Sequence, residues 1–485
     1  MRLSIAAKNA EEINMSRAII WYRNDLRVND NEALYKAAQN FDEVLPVFII
    51  NRENLTKTDY DSEKIGAIRL QFLLESLHNL NKSLKEMGSG LLVRVGDPAE
   101  ELSKIATEEK VMAIYAHKEP AWEEIKEEEN LRKLLAEEVE IKYFWGKTLF
   151  HVNDLPFDYQ KTPDVFSNFR KKNEKYGKVR PLFAKPEKIH WHESIDSDIP
   201  TLENLGFSEP EIPESAAIEF TGGEQEALKR LDHYFFQTER LSKYKYTRNG
   251  LIGADYSSKF SPWLANGSIS PRQIYYQVKK YEDEIKSNVS TYWLIFELIW
   301  RDFFTYVLLK YGNKLFFKGS IKGEPPKIED PDDKKLQAWK NGETGIPFID
   351  ANMKELNETG FMSNRGRQNA ASFLIKDLKV DWRKGAAYFE EKLIDYDVAS
   401  NWGNWSYVAG IGNDPREGRY FNVMTQADRY DKKGEYVKLW FPELKDVDRE
   451  FIHKPWLLKP NQLEDLRLET TPFSNPICVP DRWKL

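Results

Sequence analysis

Between Phe361 and Gly410 the chain has the apolar content of buried helices. It nevertheless carries Asn364, Arg365, Arg367, Gln368, Asn369, Asp395, Asp397, Asn401 and Asn404, interleaved with Trp382, Trp402, Trp405 and Tyr407. Polar groups enter a core only when each finds a partner. A stretch of this kind therefore restricts the fold to one in which amides, guanidiniums and carboxylates converge on something. A large planar polar ligand would supply the partners, with the tryptophans as its neighbours. The chain holds 14 Trp, 23 Tyr and 27 Phe, many of them after residue 230, which suits a stacked ring ligand as well as a core.

A length of 485 residues with 41% hydrophobic content is enough for two or three domains. The mean hydropathy is −0.64 and no run of 18 apolar residues occurs, which argues against a membrane span. One cysteine, Cys478, excludes an internal disulfide and a cysteine-rich metal site, and fits a reducing, cytoplasmic setting with no metal. The His190-Trp191-His192 sequence reads as loop, because no ligand partner follows it at usable spacing. A net charge of −7 disfavours wholesale nucleic-acid binding, but the negative charge lies in the first half and the second half is slightly basic. Phosphate contact needs only a local patch. Residues 1–16 lack the apolar core of a signal peptide and read as a disordered leader.

Five short apolar runs, at 18–22, 44–50, 91–95, 111–116 and 139–144, alternate with helical patterns such as 63–87 and 120–137. This predicts a doubly wound α/β domain over 17–145 with buried parallel strands. The turn after the first run is RNDLRVNDN, without the glycine fingerprint of a dinucleotide site. Residues 146–220 show no clear period and read as a long connector, with KTPDVFSNFRKKNEKYGKVRP as a basic loop. From 221 to 485 the signals are helical: Ser-Pro starts at Ser261 and Ser270, a buried helix over 289–311, and further helices over 346–358, 364–379 and 383–395.

Ser257-Ser258-Lys259-Phe260-Ser261 places hydroxyls and a cation at an expected helix start, a combination suited to a pyrophosphate, although serine clusters are more often caps. Asp395 and Asp397, two residues apart, cannot share a helix face and are expected where the chain leaves a helix, with Arg367 as a natural partner. Trp382 and Trp405 fall on different expected helices; such residues are usually core, but packed helices can also bring them within electron-hopping range.

ELIWRDFF (297–304), GIPFIDANMKELNETGFMSNRGRQNAASFLIKDLKVDWRKG (345–385), LIDYDVASNWGNW (393–405) and GEYVKLWFPEL (434–444) resemble the photolyase/cryptochrome family. The likeness runs from about residue 18 to 444. TRNGLIGADYSSKFSPWLANGSISPRQIY (247–275), SNRGRQN (363–369) and GNWSY (403–407) resemble its DASH-type cryptochromes.

That resemblance implies an all-α FAD-binding C-terminal domain behind the α/β domain. Tyr244, Ser257, Ser258, Lys259, Phe260 and Ser261 would hold the phosphates and nearby groups, while Glu297, Arg301, Asn364, Arg367, Asp395 and Asp397 would line the cofactor. Asn401 would face flavin N5. The implied reaction is blue-light-driven electron transfer from reduced FAD to a cyclobutane pyrimidine dimer flipped out of its strand. Glu297 would hydrogen-bond the dimer and Trp300 would stack on it. Gln368 and Tyr407 would complete the wall, in the pattern that implies preference for single-stranded or looped DNA. Arg365 and Arg419 would meet phosphates. Trp405 and Trp382 would be the first two members of a photoreduction chain. The family's third tryptophan corresponds here to Lys327, so another aromatic such as Trp339, Trp402 or Tyr311 provides the exit, or photoreduction is impaired. A 5,10-methenyltetrahydrofolate antenna is implied in the N-terminal domain, with Glu123 its carboxylate, although a solvated acidic helix explains that segment equally well. The expected partner is DNA, with no membrane, and the expected state is a monomer. The main alternative is a blue-light photoreceptor with little repair. One cysteine rules out an iron–sulfur relative, and no nicotinamide fingerprint supports a light-independent oxidoreductase.

Overall fold

The computed structural model describes residues 15–195, 198–329, 333–416 and 418–483. The leader lies outside the described residues up to position 14.

Strands β1 (Arg17–Tyr22), β2 (Glu43–Asn51), β3 (Leu92–Gly96), β4 (Ala113–His117) and β5 (Glu140–Phe144) form one parallel sheet in the order β3-β2-β1-β4-β5. All four pairings are parallel, and β1 is wholly interior, with Ala18 to Tyr22 at most 2% exposed. Strands buried on both faces read as continuous apolar runs, which is why β1, β2 and β4 show in the sequence, while the edge strands β3 and β5 are partly exposed. Helices α1 (Glu32–Asn40), α2 (Ala67–Glu86), α3 (Pro98–Glu108) and α4 (Trp122–Leu134) cover the faces. The His190–His192 segment is a loop, and it docks on the sheet through His192, whose Nδ1 lies 3.1 Å from the buried Glu43 carboxylate.

The connector differs from its sequence reading. Its basic segment contains helix α5 (Phe166–Tyr176), which buries Phe166, Phe169 and Asn173. Phe169 packs against Phe303 and Tyr306 of the long helix farther along the chain.

The second half is helical: α6 (Glu224–Asp232), α7 (Pro271–Glu284), α8 (Val289–Tyr311), α9 (Lys334–Asn341), α10 (Pro347–Thr359), α11 (Asn364–Ser372), α12 (Trp382–Lys392) and α13 (Val398–Ala409). Ser270 caps α7 with a reciprocal capping box, and Asn288 does the same for α8. Ser261 is not a cap. It is the first residue of a short turn, Ser261–Ala265, and its side chain caps nothing. Helix α11 continues into a widened turn over Phe373–Asp377, closed by Leu378 N–H on the Phe373 carbonyl at 3.0 Å.

Buried polar bonds lock the two domains. Asp30 of the α/β domain pairs with Arg272 at 2.7 Å and accepts from the Ser270 hydroxyl at 2.6 Å. Glu224 accepts from the backbone of Val28 and Asn29. Asp302 on α8 accepts from the N–H groups of Leu149 and Phe150, both at 2.9 Å, and burial pushes its carboxyl up to about 7. No helix among the described residues is long and apolar enough to cross a membrane.

Candidate functional site

The turn between α12 and α13, from Leu393 to Asp397, organises the site. Ile394 N–H binds the Gly360 carbonyl at 2.8 Å, tying the turn to the end of α10. Asp397 caps α13 through the Ser400 N–H at 2.9 Å. Asp395 accepts from Arg367 at 2.8 Å, the buried pair anticipated from the cost of an unpartnered aspartate. The second oxygen of each aspartate, Oδ1 of Asp395 and Oδ2 of Asp397, is buried with no hydrogen bond. Lys147 and Arg301 stand at 3.5 and 3.8 Å from Asp397 Oδ2. Those two cations outweigh burial and hold the Asp397 carboxyl at about 2. Arg301 is fixed by the carbonyls of Lys147 and Leu264.

A cavity of about 110 Å³ opens here, lined by Asn364, Arg367, Gln368, Asp395, Asp397, Asn401 and Trp405. Asn401 is oriented by donating to the Ala386 carbonyl at 3.0 Å. The polar residues of this stretch are not uniformly buried: Asn364 and Asn404 are exposed. Gly385 permits the closest packing of α12 on α13, since the Trp405 ring lies 2.3 Å from where a Cβ would stand.

The serine loop is shaped by a residue that the sequence did not flag. Arg230 of α6 gathers the carbonyls of Ala254, Ser257 and Ser258 and pairs with Asp255. Lys259 has a left-handed backbone, is 3% exposed, and its ammonium has no hydrogen-bond partner among the described residues. It lies over the rings of Tyr256 at 3.6 Å and Phe361 at 4.5 Å, and burial lowers its pKa to about 7. Tyr244 and Phe260 are buried nearby in the same core.

On α8, Glu297 pairs with Arg248 at 2.5 Å, and burial raises its carboxyl above the ordinary range against that attraction. Trp300, one turn on, meets Tyr407 of α13 edge to face at 6.1 Å. Gln368 accepts from Arg365 at 2.8 Å, and Arg365 lies over Tyr430. Arg419 is committed elsewhere than to solvent: it pairs with buried Asp414 at 2.5 Å and lies over the Tyr407 ring at 5.0 Å. Burial, with Asp414 next, pushes the Tyr407 hydroxyl up to about 12.

Trp405 and Trp382 are both buried. Trp405 contacts Phe389 and Trp339, whereas Trp382 contacts Trp402 at 5.7 Å. Lys327 is exposed and paired with Glu329.

A second and larger cavity, about 730 Å³, lies between the domains. Its lining includes Tyr60, Trp122, Glu123, Glu124, Phe316 and Trp402. Glu123 is largely exposed and paired with Lys64 at 2.7 Å. Burial raises Glu124 to about 7, with Arg23 opposing.

A family model described as the FAD binding domain of DNA photolyase matches residues 293–479, and one described as DNA photolyase matches 18–187. A cryptochrome DASH from Xenopus laevis is 48% identical over 96% of this chain and 91% of its own length. The chain belongs to the photolyase/cryptochrome family. A cryptochrome DASH from Synechocystis sp. is 47% identical over 91% of this chain and 90% of its own. Among solved structures, the Synechocystis sp. cryptochrome superposes with a TM-score of 0.93 at 44% identity, covering 97% of this chain and 98% of that one. A class III photolyase from Agrobacterium tumefaciens gives 0.84 at 28% identity, covering 97% and 96%. The helical half is thus an FAD-binding domain, and this is a photolyase-like flavoprotein. The serine loop lies upstream of the FAD-domain match.

Proposed function

We propose that the protein uses blue light to split cyclobutane pyrimidine dimers, chiefly in single-stranded DNA. The observation that carries this reading is the meeting of Trp300 and Tyr407 beside Glu297, at the mouth of a domain of the FAD-binding family.

The residues fit the cofactor. Lys259 brings an ammonium, and Asp395 and Asp397 bring carboxylate oxygens, that have no hydrogen bond among the described residues and match phosphate on one side and ring N–H or ribityl hydroxyl on the other. When bound, FAD supplies light absorption and the transferable electron. The chain supplies placement and field. Arg230 shapes the serine loop, Arg367 and Asp395 hold each other, and the Asn401 amide is oriented by the Ala386 carbonyl. Glu297 retains a raised carboxyl, suited to sharing a proton with a pyrimidine carbonyl. Trp300 offers the stacking surface, and Arg365 stands at the rim for phosphate. Gln368 and Tyr407 follow the pattern of the DASH relatives and support the single-strand preference. A base already unpaired needs no compensation for being flipped.

The interdomain cleft is read as the antenna site for a methenyltetrahydrofolate. Its aromatic walls suit a flat heterocycle, and Glu124, more than the exposed and paired Glu123, presents a carboxyl to it. The chain's single cysteine supports a reducing, cytoplasmic setting.

The deciding experiment follows thymine dimers in a short single-stranded oligonucleotide under blue light with reductant, against a dark control. Loss of dimers in light alone is expected, with slower loss in the matching duplex. A sample fully loaded with reduced FAD that repairs nothing would move the reading to light sensing.

A further inference from the structure

Besides Phe304 at 5.7 Å, a closer ring packs on Trp300. The ring of Phe166, the first residue of α5, lies parallel to it, with centroids 3.6 Å apart and planes at 8°. Phe166 is 8% exposed and its ring also meets Phe296 and Phe303 edge to face, at 5.2 and 5.7 Å. The helix carrying it is pinned. Phe169 and Asn173 are fully buried, and Arg170 donates to the Tyr292 hydroxyl at 2.7 Å. Just before the helix, the Thr162 carbonyl and the Asp164 carboxylate both accept from the Lys310 ammonium.

We propose that Phe166 is a positioning residue of the lesion pocket, backing the Trp300 indole so that its remaining surface is held ready for a flipped pyrimidine dimer. This rests on the repair reading above. An indole at a pocket mouth can turn about two side-chain bonds, and each alternative setting lowers the fraction competent to stack. A parallel ring on one face, itself wedged between two edge-on rings, removes those alternatives before the substrate arrives. The gain is preorganisation, which improves affinity without a new contact to the ligand. The pinning of α5 also separates a backing ring from a plug. A ring that had to leave when the dimer entered would be expected on a segment free to move, whereas Phe166 sits on a helix anchored on both sides.

The test uses the full-length, flavin-loaded protein in the dark. It measures fluorescence anisotropy with a labelled single-stranded oligonucleotide carrying one thymine dimer, and with its undamaged twin. Phe166→Leu keeps apolar bulk but loses the flat ring, and is expected to weaken dimer binding roughly tenfold, with undamaged binding changed less than about twofold. Phe166→Tyr restores wild-type dimer affinity. In light, Phe166→Leu raises KM while turnover at saturating oligonucleotide is retained. If Phe166→Leu folds poorly, as judged by flavin content, Phe166→Met tests the same flat-ring requirement. Dimer affinity equal to wild type in the leucine or methionine variant overturns the proposal, and tighter affinity overturns it in favour of a plug. Wild-type protein that neither prefers the dimer in the dark nor repairs it in light sinks the repair reading as well, and is told apart by that control.

Discussion

Two cavities share one wall. Tyr396 and Asp397 line both the 110 Å³ pocket that holds Asn401 and the 730 Å³ cleft between the domains. Their charge logic is opposite. In the small pocket the aspartates face cations: Arg367 pairs with Asp395, and Lys147 with Arg301 keeps Asp397 ionised down to about 2. In the cleft burial dominates, and Glu124 and Glu390 are pushed up to about 7 despite Arg23 and Arg69. The small pocket therefore presents a fixed field over the ordinary pH range, as suits a cofactor whose redox behaviour must not drift. The cleft changes charge near neutrality. Lys147, on the cleft side of the shared wall, stands between Glu119 at 2.8 Å and Asp397.

The largest effect is expected from breaking that wall. Asp397→Asn removes the helix cap's charge and leaves Lys147 and Arg301 facing a neutral group. Removing one partner of a buried pair costs about 3–5 kcal/mol. The variant should lose bound flavin on purification and melt earlier, read as flavin absorbance per protein and as Tm. Glu124→Gln, across the wall, should retain flavin. If both variants keep flavin equally, the division between the cavities is wrong.

Trp402 links the cleft to the buried tryptophans. It lines the cleft, its ring meets Trp382, and its indole N–H donates to the Tyr396 hydroxyl at 3.3 Å. Trp402 is in contact with Trp382 and also reaches a cavity, so it can take the place of the third tryptophan that the resemblance would put at Lys327. Trp382→Phe is expected to remove most light-driven flavin reduction in the presence of a thiol, and Trp402→Phe to slow it in part. Equal rates for wild type and Trp402→Phe would leave the cleft unconnected to the tryptophans.

These features differ in how far the sequence disclosed them. The central strands β1, β2 and β4, and α8, were legible because burial over most of their surface leaves long apolar runs; the expected 289–311 is the observed helix. The Arg367–Asp395 pair was legible because a buried aspartate demands a partner. Helix α5 was not, because only Phe166 and Phe169 give it an apolar side and most of the rest is polar or charged. Its helicity comes with packing on α8, more than 100 residues away. Arg230, Lys147 and Glu119 were hidden for the same reason: a lone ion signals nothing until the fold supplies its counter-charge. The exposure of Asn364 and Asn404 was hidden by apolar neighbours.

The cleft's titration gives a smaller, sharper test. In the folded protein the Glu124 carboxyl titrates at about 7, against an ordinary 4.5. Between those values the folded state holds a proton that the unfolded chain has released, so this group's contribution to stability falls as pH rises through the window and then stays level. Glu124→Gln has no such proton to lose. Relative to wild type it should gain on the order of 1–3 kcal/mol between pH 4.5 and about 7. Chemical denaturation at several pH values measures this. A variant curve parallel to wild type would show that Arg23 already neutralises Glu124.

The smallest effect compares the two rims. Arg365 stands at the mouth of the small pocket, bonded to Gln368 and Asn249, with no carboxylate partner among the described residues. Lys64 stands at the mouth of the cleft and is already paired with Glu123. If nucleic acid lies over the small pocket alone, each phosphate contact releases close to one counterion, and the slope of log affinity against log salt counts such contacts. Arg365→Gln should reduce that slope by about 0.7 for a single-stranded oligonucleotide, whatever its sequence. Lys64→Gln should leave it unchanged. The slope is the informative quantity, because a variant that merely disturbed the fold would lower affinity at every salt concentration and keep the slope. An equal drop in slope for both variants would mean that the strand crosses both cavities. The two regions would then form one binding surface, with the wall at Asp397 beneath it.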